Sequence, residues 1–166
     1  HGETPWVDLI DTFPDLDILA VATPDHLHTA PIKHALENRI HVIVEKPMTL
    51  DIVEADEVIA LAQRKNLIVG LDMHKRYDPD HLKIFHELLA EIGEPIYGRA
   101  VLEEPLEVST KTFKWVTQSD PFSYVGCHWT DLFISYLKIK PVSLFAVGQK
   151  SKLINEYNID GYDAVQ

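Results

Sequence analysis

His41-Val42-Ile43-Val44-Glu45-Lys46-Pro47 reads as a buried strand that ends on an ammonium group. Working outward from it, Asp17-Ile18-Leu19-Ala20-Val21-Ala22 is a matching apolar run that stops at Thr23-Pro24-Asp25-His26 and gives way to a helical pattern. Two such strands joined by a crossover helix form a parallel pair, and their carboxyl ends share one rim. In open α/β sheets that rim is where ligands bind. The reading therefore brings Thr23 and Lys46 together.

Periodicity extends the unit to βαβαβ: strand Ile18 to Ala22, helix about Thr29 to Asn38, strand Val42 to Glu45, helix about Asp51 to Lys65, and strand Leu67 to Leu71. Asp51 and Glu54 stand at capping-box spacing before the apolar face Val58, Ile59, Leu61 and Ala62. The strands are uninterrupted apolar runs, which predicts parallel strands covered on both faces. A further helix starts at Asp78-Pro79, carries Leu82, Phe85, Leu88 and Leu89, and ends at Gly93.

From Glu94 the pattern changes to longer, more polar strands: Ile96 to Glu103, Val142 to Gln149 and Leu153 to Tyr157, with one helix at Gly126 to Leu137. The expected fold class is α/β, the second half of a Rossmann-type parallel sheet followed by part of an α+β domain with a largely antiparallel open sheet. The expected division is residues 1–93 and 94–166. In the last helix the registers put Leu132, Phe133, Tyr136 and Leu137 toward a core, with Tyr124, His128 and Asp131 on another face.

A dinucleotide-binding sheet has two βαβαβ halves, and its phosphate fingerprint G-x-G-x-x-G lies on the first turn of the first half. Among the seven glycines no two stand in G-x-G spacing. A strand as apolar as Ile18 to Ala22 normally has neighbours on both sides. The expectation is a chain truncated at both ends, lacking about 60 residues before His1 and stopping inside a sheet at Asp163-Ala164-Val165-Gln166.

The 166 residues are 46% hydrophobic, enough for a sizeable core. No apolar run approaches the roughly 20 residues that span a bilayer, so no membrane partner is expected. A net charge of −11 repels phosphate backbones and argues against nucleic acid. Cys127 is the single cysteine, which predicts an intracellular, cytoplasmic protein without an intrachain disulfide. Cys127 beside His128 is poorly placed for a thiol nucleophile, because adjacent helix residues point about 100° apart. His26, His28 and His34 flank or follow a helix start and do not converge as i, i+4 ligands, so no metal is expected.

Four motifs in order carry a resemblance. They are Ala22-Thr23-Pro24-Asp25-His26-Leu27-His28, Val44-Glu45-Lys46-Pro47, Lys75-Arg76-Tyr77-Asp78-Pro79 and Gly126-Cys127-His128-Trp129-Thr130-Asp131. From about Asp17 to Val165 the chain resembles the glucose-fructose oxidoreductase / inositol dehydrogenase / MocA family (Gfo/Idh/MocA). The resemblance implies an oxidoreductase that moves a hydride between NAD or NADP and a sugar, polyol or related hydroxylated small molecule. It also implies homo-oligomers formed through the C-terminal sheet.

By the same resemblance Lys46 matches the catalytic lysine and His128 the catalytic histidine. Thr23, Pro24 and His28 match residues that line the cofactor, and Glu45 and Pro47 complete that motif. The family's usual aspartate four residues before the histidine is here Tyr124. This tyrosine is read as packing, as a substrate contact, or as an acid/base.

The chemistry asks for the same residue types. Oxidising a secondary alcohol needs a base for the hydroxyl proton and a cation beside the developing alkoxide. His128 suits the first task and Lys46 the second. Asp131, three residues after His128, could hold the ring in one tautomer. Arg76 and Tyr77 are candidate substrate contacts; Arg76 serves equally as an interdomain ion pair. The bland readings are a solvent-exposed lysine at a strand end and a histidine packed beside Trp129. They lead to a second hypothesis, a non-catalytic relative acting as a sensor or assembly partner. A third is lyase or hydrolase chemistry that uses the bound cofactor as a redox relay.

Overall fold

A computed structural model describes residues 4–166. Contacts divide the chain into two units, the first ending at Asp72 and the second running from Met73 to Gln166.

The first unit opens with α1 (Pro5–Thr12), which the sequence reading left unassigned. Proline in its first turn and Ile10 turned into the core explain it. There follow β1 (Ile18–Val21), a 3₁₀ turn at Asp25–Leu27, α2 (Thr29–Glu37), β2 (His41–Val44), α3 (Ile52–Lys65) and β3 (Val69–Leu71). The strands are parallel in the order β1-β2-β3, with Val21 paired to Val44 and Val44 to Leu71. The expected βαβαβ unit is present, and among the described residues β1 lies at the edge of the sheet.

Burial along these strands alternates. Leu19, Val21, Val42 and Val44 pack against Ile10, Ile32, Ala35, Leu36, Val58 and Ala62 from the three helices. Ile18 and Ile43 on the opposite face are 56% and 46% exposed. Among the described residues the three helices of the first unit pack on one face, that of Leu19 and Val44. Fully burying side chains such as Ile32, Leu36 and Val58 stabilises the layer by about 1.5–3 kcal/mol each.

Local signals set the element ends. The Asp51 carboxylate accepts from the amides of Val53 at 2.8 Å and Glu54 at 3.1 Å and so caps α3. Glu54 does not close the box; its side chain accepts from the Thr29 hydroxyl of α2 at 2.5 Å. Asn66 ends α3 in the left-handed region at φ 55°.

In the second unit a 3₁₀ turn at His74–Tyr77 leads to one continuous helical stretch made of α4 (Pro79–Lys83), a π turn at Ile84–Leu88 and α5 (Leu89–Ile92). This stretch groups with the second unit, so the contact boundary falls before Met73 instead of after Gly93. The physical reason is aromatic packing: Phe85 stacks on Tyr136 with ring centroids 4.7 Å apart, and His81 meets Trp129 edge-on at 5.3 Å. Then come a π turn at Phe122–Gly126, α6 (Cys127–Leu137), β4 (Gly148–Gln149), α7 (Lys152–Tyr157) and β5 (Ala164–Val165).

Three strand expectations change here. Residues 96–103 form no strand, and Val142 to Gln149 contracts to the two residues of β4, antiparallel to β5. Leu153 to Tyr157 is helical. Its start is fixed by Asp163, whose carboxylate accepts from the amides of Ser151 and, at 2.9 Å, Leu153. Strands need hydrogen-bonded neighbours, and among the described residues Ile96 (102% exposed) and Phe145 (87% exposed) have none. Among those residues no helix is long and apolar enough to cross a membrane.

Candidate functional site

The expected site residues fall in two groups, one in each unit. In the first unit the register decides the arrangement. With Val21 paired to Val44, Thr23 and Lys46 leave the sheet side by side, each two residues beyond that pair. The amide of Glu45 donates to the Val21 carbonyl at 3.0 Å and extends the pairing one step. The Lys46–Pro47 peptide is cis.

His28 stands where the 3₁₀ turn passes into α2. It is 1% exposed. Its Nδ1 lies 2.7 Å from the Pro47 carbonyl oxygen, and its Nε2 lies 2.8 Å from the Thr23 carbonyl oxygen. Both polar atoms of the ring are thus engaged by backbone, which sets His28 beneath the rim and not along its surface. The Thr23 hydroxyl Oγ1, by contrast, is buried without a hydrogen-bond partner among the described residues. A buried hydroxyl left so is uncommon in folded proteins and marks the spot as a candidate for function. Pro24 follows Thr23 in sequence, Glu45, Lys46 and Pro47 follow the neighbouring strand, and all four are half-buried.

In the second unit Arg76 and Asp131 find each other across 55 residues. Arg76 Nε donates to Asp131 Oδ2 at 2.7 Å, and Nη2 donates to Oδ1. This bidentate pair raises the Arg76 pKa above its ordinary value, chiefly through the hydrogen bond to Asp131. Tyr136 adds to it by donating its hydroxyl to the Arg76 carbonyl at 2.5 Å. Both oxygens of Asp131, the residue expected to hold the His128 ring, accept from Arg76, and Ser135 donates to one of them at 3.4 Å. Tyr77, the neighbouring candidate, is exposed.

His128 lies in the first turn of α6 and is 5% exposed. The exposed ring of His74, on the turn after β3, meets it edge-on with centroids 4.7 Å apart. His74 was not singled out from sequence, because only the fold brings a residue 54 positions away onto the His128 ring. Tyr124, in the π turn before α6, packs edge-on against Phe113 at 4.7 Å. A cavity of about 60 Å³ lies beside His128, lined by Lys75, His81, Leu102, Trp129 and Leu132. Ligand pockets hold about 300–1,000 Å³, so this cavity has room for water and not for a sugar. A larger groove of about 470 Å³ runs between α2 and α3, where Lys33 pairs with Glu57 at 2.5 Å. Its lining residues are helical and lie off the strand rim. Among the described residues no three His, Cys, Asp or Glu side chains group as ligands for an ion.

Residues 4–73 match the sequence profile of GFO_IDH_MocA, described as an oxidoreductase family with an NAD-binding Rossmann fold. The chain is 29% identical over 144 residues to a UDP-N-acetylglucosamine 3-dehydrogenase of Acidithiobacillus ferrooxidans, covering 87% of this chain and 42% of that protein. It is 36% identical over 136 residues to the uncharacterized oxidoreductase YdgJ of Escherichia coli, covering 81% of this chain and 37% of that one. Among solved structures, myo-inositol 2-dehydrogenase from Lactobacillus plantarum superposes with a TM-score of 0.80 at 24% identity, over 95% of this chain and 48% of that chain. That likeness shows the fold. The chain spans about two fifths of the length of these two curated relatives.

Proposed function

Since the chain belongs, through residues 4–73, to the Gfo/Idh/MocA oxidoreductase family with its NAD-binding Rossmann fold, we propose that it forms part of an NAD(P)-dependent oxidoreductase acting on a sugar, polyol or related hydroxylated small molecule. The observation that carries the reading is the rim of the first unit. Thr23 and Lys46 leave adjacent parallel strands at the same level, and the buried Thr23 hydroxyl lacks a partner there. The names of matched relatives, a UDP-N-acetylglucosamine 3-dehydrogenase and a scyllo-inositol 2-dehydrogenase (NAD(+)), support the substrate class.

The residues at this rim fit a dinucleotide. Thr23 and Pro24 would line it, with Glu45, Lys46 and Pro47 on the neighbouring strand end. A nicotinamide held there would supply the acceptor for the hydride that leaves the substrate carbinol carbon. The chain's own part is proton and charge management. By the family resemblance His128 is the candidate acceptor for the hydroxyl proton and Lys46 the candidate cation for the charge that develops on the oxygen. Tyr124 packs or contacts substrate. Arg76 acts through its pair with Asp131, holding the turn that carries His74 to Tyr77 against α6.

The 166 residues by themselves are expected to be inactive, because they contain no two glycines in G-x-G spacing and that turn supplies the main site for the pyrophosphate. A cytoplasmic location and self-association through the second unit, where Val142, Leu144 and Phe145 are exposed, complete the proposal.

One experiment tests the core of it. In the whole protein that carries these residues, Lys46→Ala should abolish substrate-dependent NAD(P)H formation while leaving the elution volume unchanged. Calorimetric titration of the 166-residue chain with NADP should give no sub-millimolar binding. Turnover that survives Lys46→Ala removes the lysine from the mechanism. The second reading, a sensor or assembly partner, draws on Tyr124 packing against Phe113 where the family's aspartate would stand; it predicts no turnover before any substitution is made.

A further inference from the structure

We infer that Phe113, Trp115 and Tyr124 form an aromatic platform in the second unit, on which the ring of a pyranoside lies by its C–H face. The choice of ligand rests on the proposed function and narrows it. Two separate segments bring the rings together. Phe113 stands at the centre: Trp115 lies tilted against it with centroids 4.6 Å apart, and Tyr124 meets it edge-on at 4.7 Å. All three are half-buried, so each keeps part of its surface open to solvent. The fully buried side chains of this unit are Leu132 and Leu153, and the aromatic cluster stands outside that core.

Both segments are fixed by backbone bonds before any ligand arrives. The amide of Phe113 donates to the Val108 carbonyl at 2.8 Å, and that of Gln118 to the Trp115 carbonyl at 2.8 Å. Val116 lies with the buried Leu153 against Gly161. On the other segment the Asp120 carboxylate accepts from the amides of Phe122 at 2.8 Å and Ser123 at 3.0 Å, and the Asp120 carbonyl accepts from that of Tyr124 at 2.9 Å. A surface held in this way binds without the cost of ordering itself.

Placement and chemistry together name the ligand. Tyr124 precedes His128 by four residues, and side chains at that helical spacing share a face with their Cβ atoms about 5–6 Å apart. The cavity of about 60 Å³ beside His128 is too small for a sugar, so within this unit a sugar is met by open surface. A pyranose has an edge of hydroxyls and two faces of C–H bonds. The faces leave water readily for aromatic carbon, whereas the edge needs hydrogen-bond partners. Lys114, Thr117 and Gln118, exposed on the segment that carries Trp115, supply them.

The test uses the whole protein that carries these residues, with methyl β-D-glucopyranoside as the probe and no cofactor. In saturation-transfer NMR, irradiating the aromatic protons of the protein should mark the hydrogens of one pyranoside face at least about twice as strongly as those of the other. Equal marking of both faces, or none, overturns the platform. Trp115→Ala should weaken binding of the probe about tenfold, and Trp115→Phe less than about threefold, with the affinity for NADP unchanged in both. Wild-type affinity for the probe in Trp115→Ala removes Trp115 from the platform. Should that variant fail to fold, the saturation pattern of the wild type and the affinity of Trp115→Phe decide. Binding is read without turnover, so a protein that holds the glucoside by one face and oxidises no sugar supports the platform and sinks the oxidoreductase reading alone.

Discussion

Asp131 shows how the element of a side chain can be read from spacing while a partner 55 residues away cannot. Its spacing from His128 invites an orienting role, yet its oxygens are taken by Arg76, and the Arg76 carbonyl in turn accepts from Tyr136. Charge-assisted, two-pronged pairs of this kind are the stronger members of their class, and partial exposure of Arg76 tempers the value. Asp131→Asn should lower the stability of the second unit by about 1 kcal/mol, read as a shift in the urea midpoint. Tyr136→Phe should cost about the same while keeping the stacking on Phe85. A midpoint unchanged in both variants would remove the network from the stability of this unit. His28 teaches the same lesson. The sequence placed it at the rim, but two carbonyls from two other segments claimed its ring, and nothing in the linear order announces which backbone oxygen lies 2.7 Å away.

Elements were legible where their causes were local. The strands of the first unit follow from apolar runs, and α3 follows from Asp51 before its apolar face and Asn66 after it. The helix at Pro79 is also local in origin, since Asp78 accepts from the Asp80 amide at 3.0 Å. That bond, and less strongly others from its surroundings, holds the Asp78 carboxyl below its ordinary value of 3.8. A carboxyl depressed in the folded state contributes stability above its unfolded value and loses it as pH falls through the lower, folded one. The start of α4 should therefore hold at neutral pH and fray in acid below the usual aspartate range. The amide of Asp80 should lose hydrogen-exchange protection there in the wild type, and at every pH in Asp78→Ala. Protection independent of pH would show that the cap is not ionic. By contrast α7 was illegible. Residues 153–157 are too few to show a period, and the carboxylate that turns them into a helix comes from Asp163, after the segment has ended. Residues 96–103 also read as a strand by pattern, but a strand exists only when a neighbour completes its hydrogen bonds.

At the scale of the molecule, the first unit is a sheet with helices on one side, built on side chains such as Leu36, Ile32 and Val58. Leu36→Ala should destabilise that unit by about 2–5 kcal/mol, seen as faster amide exchange in β1, β2 and β3; an effect under about 1 kcal/mol would mean that the layer repacks readily. Its fold class could be read from composition and periodicity because parallel strands covered by helices leave a strong mark on sequence. The one-sidedness of the cover left none, since an apolar residue facing solvent and one facing a helix are spelled alike. The outer face of that sheet, with Ile18 and Ile43 in the open and β1 at its margin, has a practical outcome. Concentrated stocks of this polypeptide should zip margin to margin into ordered oligomers, scattering light with a steep dependence on concentration, and a lysine in place of Ile18 should keep them clear.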